Sequence, residues 1–234
     1  MNMDGLLIEG TKLVHTTDKT SGDIIIPDGI TYIEEAAFKE NYNITSIVIP
    51  DSVIIIRDDA FSGCKNITRV AIGKNVINIG HEAFYFCQSL TDIVIPDSVI
   101  YMGDSVLAEC ASLKNIKIAN RITKIDCNAF YKCTNLTSIV IPDSVTVIRG
   151  WAFRECSGLT NVLIPNSVTF IGVESFAGCS GLTNIVIPDS VLRIEHRAFT
   201  YCENLIKVSL SKRISLGKDV FYGCNKNLKI EYRD

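Results

Sequence analysis

No stretch of the 234-residue sequence approaches ~20 consecutive apolar residues, the length a membrane-spanning helix requires, so no membrane insertion is expected. There is no basic stripe. The 23 basic and 26 acidic residues leave a net charge of −3, which argues against nucleic acid as the main partner. No polybasic or acidic tail appears. The start, Met1-Asn2-Met3-Asp4-Gly5, has no basic segment followed by an apolar run, and neither a secretory signal nor a wall or membrane anchor is visible. The sequence also lacks a phosphate-binding loop, zinc-ligand spacing and an evident acid/base pair. Its three histidines, His15, His81 and His196, are scattered. These absences lead to an expectation of no cofactor, no metal and no catalytic residue. No linker or low-complexity segment divides the chain, so residues 1–234 are read as one domain.

What the sequence does have is a repeat, which takes precedence over any local reading. Phenylalanine recurs at Phe38, Phe61, Phe84, Phe130, Phe153, Phe176 and Phe199, with every gap 23 residues or twice that, and Leu107 fills the vacant place. Three residues later come Cys64, Cys87, Cys110, Cys133, Cys156, Cys179 and Cys202. Nine cysteines in a short chain would otherwise suggest disulfides. Here eight of them share one register, counting Cys224 in the irregular last unit, with Asn41 in the first place. Cysteines one coil apart are within disulfide reach. A uniform repeat would have to be broken by pairing, so the preferred reading is a buried thiol ladder in which cysteine serves as a small hydrophobe.

The apolar positions define the shape of one unit. Leu136, Ile139 and Ile141 mark an alternating strand, which Pro142 ends because it cannot donate to a ladder. Asp143-Ser144 suits a turn. Val145 and Ile148 then point inward from a second short extended segment. Ala152-Phe153 and Cys156 close the coil, through what is expected to be a helical or 3₁₀ turn. One coil cannot bury its own apolar face, so stability must come from stacking. The expected fold is a β-rich solenoid of about ten 23-residue coils, a right-handed superhelix with a parallel sheet on its concave face. Residues 1–22 form an N-terminal cap or half coil, 23–211 the regular repeats, and 212–234 an irregular last coil and C-terminal cap.

The motif L-T-x-I-x-I-P-D-S-V-x-x-I followed by A-F-x-x-C stands at Leu136–Ile148 and Ala152–Cys156, and again at Leu182–Ile194 and Ala198–Cys202. It resembles the BspA-like, or Treponema-type, leucine-rich repeat family over about residues 24–230. The resemblance implies a surface protein that adheres to host proteins and other cells. It carries fold strongly and function weakly, because function resides in sites rather than folds.

Three columns invite a chemical reading. Asp58, His81, Asp104 and Cys127 stack at 23-residue intervals. A nucleophilic triad needs its histidine between nucleophile and acid. Here Asp104 intervenes, leaving Cys127 two coils from His81. A metal at Asp58-His81-Asp104 is sterically conceivable but is not expected. An aspartate column, Asp28, Asp51, Asp97, Asp143 and Asp189 with Asn120 and Asn166, is read as turn-forming. The Asn-x-Thr sequons at Asn43, Asn66 and Asn135 follow from the L-T ending of the repeat.

Binding is expected on one of two faces. Beside the buried strand residues, one outward column reads Ser46, Arg69, Asp92, Asn115, Ser138, Asn161, Asn184 and Lys207. The next reads Val48, Ala71, Val94, Lys117, Val140, Leu163, Val186 and Ser209. An apolar stripe flanked by polar residues is a candidate interaction surface, although strand propensity alone also favours valine. From these columns Val48, Arg69, Asp92, Val94, Val140, Leu163, Val186 and Lys207 are the candidate binding residues. The alternative face carries Tyr85, Phe86, Tyr131, Trp151 and Tyr201. The chain is therefore read as a non-enzymatic, monomeric module for a protein or glycoprotein ligand, with adhesion at a cell surface as the first reading. An intracellular scaffold is the second, favoured by the missing signal and the free cysteines.

Overall fold

The computed structural model describes residues 2–3 and 5–234. The remaining two positions of the N-terminal cap, Met1 and Asp4, lie outside that range. The chain winds into a β-solenoid whose coils each have three sides.

The first side is a parallel ladder of strands. They run from Gly22–Ile25 and Ile44–Val48 through Ser138–Val140 to Lys207–Ser211 and Lys229–Arg233, ten among the described residues. Its register is the repeat itself: Asp92 faces Asn115, and Ser138 faces Asn161. The strands are short because Pro50, Pro96, Pro142, Pro165 and Pro188 turn the chain out of the ladder. The second side carries two-residue strands from Tyr32–Ile33 to Ser215–Leu216. Inward residues from both sides, such as Ile139, Val145 and Ile148, are at most 3 % exposed.

The third side differs from expectation. No helix or 3₁₀ turn forms there among the described residues; each coil makes consecutive turns instead. The reason lies in where the N–H groups go. Ala36, Phe38 and Glu40 donate to Asp58 O, Ala60 O and Ser62 O of the next coil, at 3.0, 2.7 and 2.7 Å. Ala37, Lys39 and Asn41 donate three residues back within their own coil. A helix would claim all of these groups for itself, whereas this path spends alternate ones on the neighbouring coil. The path also requires left-handed backbone twice per coil, as at Asn128 and Lys132, with φ of 54° and 57°. Each such residue costs roughly 1–2 kcal/mol when it is not glycine, and the inter-coil bonds and packing offset that cost.

This third side also bridges gaps in the ladders. The first ladder is interrupted between Asn115–Lys117 and Ser138–Val140 and again between Asn161–Leu163 and Asn184–Val186, and the second between Tyr101–Met102 and Lys124–Ile125. Across the gap in the second ladder Ser105 N–H still donates to Cys127 O at 2.8 Å, and Leu107 N–H to Ala129 O at 3.0 Å.

The core is a set of single-residue columns. Phenylalanine rings stack face to face, with centroids 5.2 Å apart for Phe61 and Phe84 and 5.1 Å for Phe176 and Phe199. Leu107, fully buried, takes the ring's place between Phe84 and Phe130. At the N-terminal end the hairpin of Leu6–Glu9 and Lys12–Thr16 covers the stack, with Lys12–Thr16 pairing parallel to Tyr32–Ile33. At the other end Phe221, Leu228 and Ile230 are only partly buried.

Candidate functional site

The cysteine column is structural. Each thiol of the column donates to a phenylalanine or leucine carbonyl of the preceding coil, for example Cys64 to Phe38 O at 3.0 Å and Cys133 to Leu107 O at 3.2 Å. Asn41, in the first place, donates its amide to Thr20 O at 3.2 Å. Burial pushes the thiols of Cys64, Cys110 and Cys156 up to about 12. Such groups do not form thiolates near neutral pH and are poor nucleophiles.

The Asp58-His81-Asp104-Cys127 column is also bonded along the solenoid. Asp58 accepts the His81 N–H at 2.8 Å, and Asp104 accepts the Cys127 N–H at 3.0 Å. His81 Nδ1 accepts the Asp104 N–H at 3.0 Å, which places the ring proton on Nε2, 2.9 Å from the Tyr101 hydroxyl. The column thus supplies caps to backbone donors of the next coil, and its thiol and imidazole stand two coils apart. The aspartate column works in the same way: Asp51 accepts the Lys74 N–H at 2.9 Å and Asp97 the Asn120 N–H at 3.1 Å.

The sheet face presents its outward columns as the alternation predicts. Its polar column is tied together laterally. Ser46 donates to Asp23 at 2.6 Å, and Asn115 to Asp92 at 2.6 Å. These bonds hold both carboxyls below the usual aspartate value. Lys207 pairs with Glu231 at 3.0 Å. The apolar column divides at Lys117, which reaches Asp97 at 3.3 Å. On one side lie Val48 and Val94, at 42 % and 58 % exposed; on the other Val140, Leu163 and Val186 follow one another at 68 %, 64 % and 57 %. These last three, with Asn161 and Asn184, line an open hollow of about 900 Å³. Val48, Arg69, Asp92 and Val94 do not line this hollow. Arg233 closes one edge, bonded to Asp189 at 2.8 Å and Ser209 at 3.2 Å. Its part is not readable from the repeat, because it comes from the irregular last strand.

The aromatic face is not one surface. Tyr85 stacks on Phe86 at 5.8 Å, and Lys65 lies 5.1 Å from the Phe86 ring and 5.0 Å from that of Tyr42. Tyr131 is covered by Lys132 at 4.9 Å. Tyr201 packs edge-on to Tyr222 at 5.7 Å. Trp151 belongs elsewhere: with Val147, Phe170 and Val173 it lines a separate hollow of about 450 Å³. Val147 and Phe170 form part of an outward column on the second side that the sequence reading missed. Two-residue strands give too short an alternation to reveal it.

Residues 17–137 and 123–233 match the model of the BspA type leucine rich repeat region, in six copies. No curated protein sequence matches the chain significantly. A leucine-rich repeat protein from Bacteroides ovatus ATCC 8483 superposes on 99 % of the chain with a TM-score of 0.88 at 29 % identity. The chain spans 63 % of that protein's length. The T. pallidum leucine rich repeat protein, TpLRR, matches 73 % of this chain and 82 % of its own, with a TM-score of 0.68 at 27 % identity. A leucine-rich repeat protein from Eubacterium ventriosum ATCC 27560 shares the fold at 20 % identity, with a TM-score of 0.58 over 89 % of this chain and 65 % of its own.

Proposed function

Because the chain belongs to the BspA-type leucine-rich repeat family, whose repeats generally serve protein interaction, we propose that it is a monomeric binding module that engages a protein or glycoprotein ligand through its sheet face. Adhesion at a cell surface is the role this reading favours. The observation that carries it is the row Val140, Leu163 and Val186, each more than half exposed on the same side of three successive coils. Contiguous apolar surface on a soluble fold marks interaction sites. Here Asn161, Asn184 and Arg233 surround the row with hydrogen-bonding groups, the apolar-centre and polar-rim arrangement of protein interfaces.

The alternative role is an intracellular scaffold using the same face. The eight in-register thiols support it, since reducing compartments keep cysteines free. Localising the native protein separates the two roles without altering the proposed surface.

The test of the surface is binding of the purified chain to immobilised extracellular-matrix glycoproteins, beside a Val140→Asp, Leu163→Asp, Val186→Asp variant. Binding by the parent that the folded variant loses supports the reading. Equal binding by both places the contact elsewhere. Binding by neither counts against the adhesive role.

A further inference from the structure

On the turn side, two columns follow the core phenylalanine position; the first buries its small members, Ala108, Ala177 and Thr200, and the second is more open. The first reads Tyr85, Ala108, Tyr131, Arg154, Ala177 and Thr200; the second reads Phe86, Glu109, Lys132, Glu155, Gly178 and Tyr201. Only at Ala177-Gly178 does a coil lose both side chains, apart from methyl, between neighbours that keep large ones. Consecutive coils here are 5.1 Å apart, measured between the Phe153, Phe176 and Phe199 rings. One stripped coil therefore opens a slot about one ring thick. Its floor is Ala177 and Gly178, one wall Arg154 and Glu155, and the other Tyr201 backed by Tyr222. The slot holds about 260 Å³, below the ~300–1,000 Å³ of sites for drug-sized ligands, so it takes a single ring.

The slot's chemistry narrows the occupant further. Tyr201 is 54 % exposed, and among the described residues no cation lies over its ring, whereas Lys65 covers Phe86 and Lys132 covers Tyr131. Tyr201 also holds a left-handed backbone, φ 56°, at a column position where Gly63, Gly178 and Gly223 meet the same demand without strain. On the opposite wall Arg154 joins Glu155, at 3.3 Å, to Glu174. Each carboxylate keeps one oxygen outside these ion pairs. Arg197 also lines the slot and makes no ion pair among the described residues. A plain aromatic ring would use Tyr201 but none of these donors and acceptors, whereas hydroxyl groups can engage them. An anion would meet two carboxylates. A neutral hydroxylated ring suits both walls, with its C–H face on tyrosine and its hydroxyls on guanidinium and carboxylate.

We infer that the slot between Glu155 and Tyr201 is a subsite for a single neutral pyranose unit of a carbohydrate. It stands apart from the sheet face and does not depend on that face being used. The ring lies on Tyr201. Arg197 donates to its hydroxyls, and Glu155 and Glu174 accept from them. Phe86 is a comparison within the molecule. It follows Ser62-Gly63 as Tyr201 follows Ala177-Gly178, with Glu40 Cγ leaning over Gly63 as Glu155 Cγ leans over Gly178. There, however, the aromatic face is occupied by Lys65.

The experiment is saturation-transfer NMR of the full chain with methyl glycosides of glucose, galactose, mannose and N-acetylglucosamine, each at about 5 mM, which would largely fill a site with a Kd of about 1 mM. At least one glycoside should show saturation of its ring C–H protons. Two variants address the slot. Tyr201→Ala removes the platform at an exposed position. Gly178→Asn fills the slot with a residue that tolerates left-handed backbone. Each should weaken the signal about five- to tenfold, the scale of a lost aromatic contact. Phe86→Ala and the sheet-face triple variant should leave it unchanged. Absence of saturation by every glycoside would overturn the inference. So would a signal that survives both slot variants while they remain folded by circular dichroism. Stronger saturation of para-cresol than of any glycoside would mark the slot as aromatic-selective and overturn the sugar assignment.

Discussion

Replacing Phe130 with alanine tests whether the core is one continuous stack. The ring is fully buried and lies 5.2 Å from that of Phe153, while its other face meets the coil of Leu107. Removing it leaves a hole that coils fixed by hydrogen bonds on the turn side cannot collapse to fill. The expected cost is about 3–5 kcal/mol. The same change at Phe221 should cost about half as much, because that ring is partly exposed and has one stacked neighbour, Phe199, at 5.7 Å. Urea unfolding followed by circular dichroism gives both values from the shift in midpoint at constant slope. The location adds a second readout. Both ladders are interrupted next to the Leu107–Phe130 region, and a solenoid transmits stability only between neighbours. Phe130→Ala should therefore broaden or split the transition, while Phe221→Ala should shift it without splitting. Equal costs at the two positions, or no cost at either, would refute the continuous stack.

Other consequences follow from the same packing. With the protein folded, a thiol reagent should reach Cys127 and Cys224 first, as both are only partly buried, and the remaining cysteines should react only on unfolding; rapid modification of Cys156 would contradict the buried ladder. Gly103→Ala should destabilise by about 1–3 kcal/mol, the usual cost of overpacking, because its Cβ would stand 2.4 Å from His81 N. Gly150→Ala, where the nearest atom is 3.3 Å away, should cost far less in the same urea assay. Asp51 and Asp97 lie below the ordinary aspartate value of 3.8, Asp51 through its bond to the Lys74 side chain and Asp97 through the Asn120 N–H. Their contribution is present above that value and fades as pH falls through the lower folded values. Asp126 has the opposite sign: burial raises it, so its ionisation penalty is relieved on acidification. Urea midpoints measured from about pH 6 to about pH 2 should show a smaller acid loss for the Asp51→Asn, Asp97→Asn double variant than for the parent.

The features legible in the sequence were those that repeat. Phe38 through Phe199, the thiols three residues later and the I-x-I strand each recur often enough for chance to be discounted, and the structure places them in the core columns they implied. The turn side reads as a helical or 3₁₀ turn in the sequence because A-F-x-x-C has helix-like spacing, and the structure has neither there among the described residues. What decides its path is the donation of alternate N–H groups to the next coil, and no single unit records that. Lys65 over Tyr42 and Phe86 was in principle visible, since Lys65 follows Tyr42 by one repeat. The slot at Ala177-Gly178 and the closing Arg233 were harder to see. Each is a departure from the consensus, and a reading built on the consensus passes over departures.

That contrast bears on how a protein of this kind acquires a binding site. Core columns are coupled: a change at Phe130 or Cys133 is felt by the coils above and below, so those positions admit few exceptions, such as Leu107 and Asn41. Outward columns are coupled far less, and a coil can drop two side chains at Ala177-Gly178 while Phe176 keeps its place in the stack. Specific chemistry should then lie wherever a surface column breaks its own pattern, because that is the only freedom the stack leaves. The run of Val140, Leu163 and Val186 on the sheet offers a broad and sequence-tolerant contact. The stripped coil beside Tyr201 offers a small and selective one. Since separated sites contribute nearly independently, losing one should leave the other intact. That independence is what makes the two assignments separately testable on the same chain.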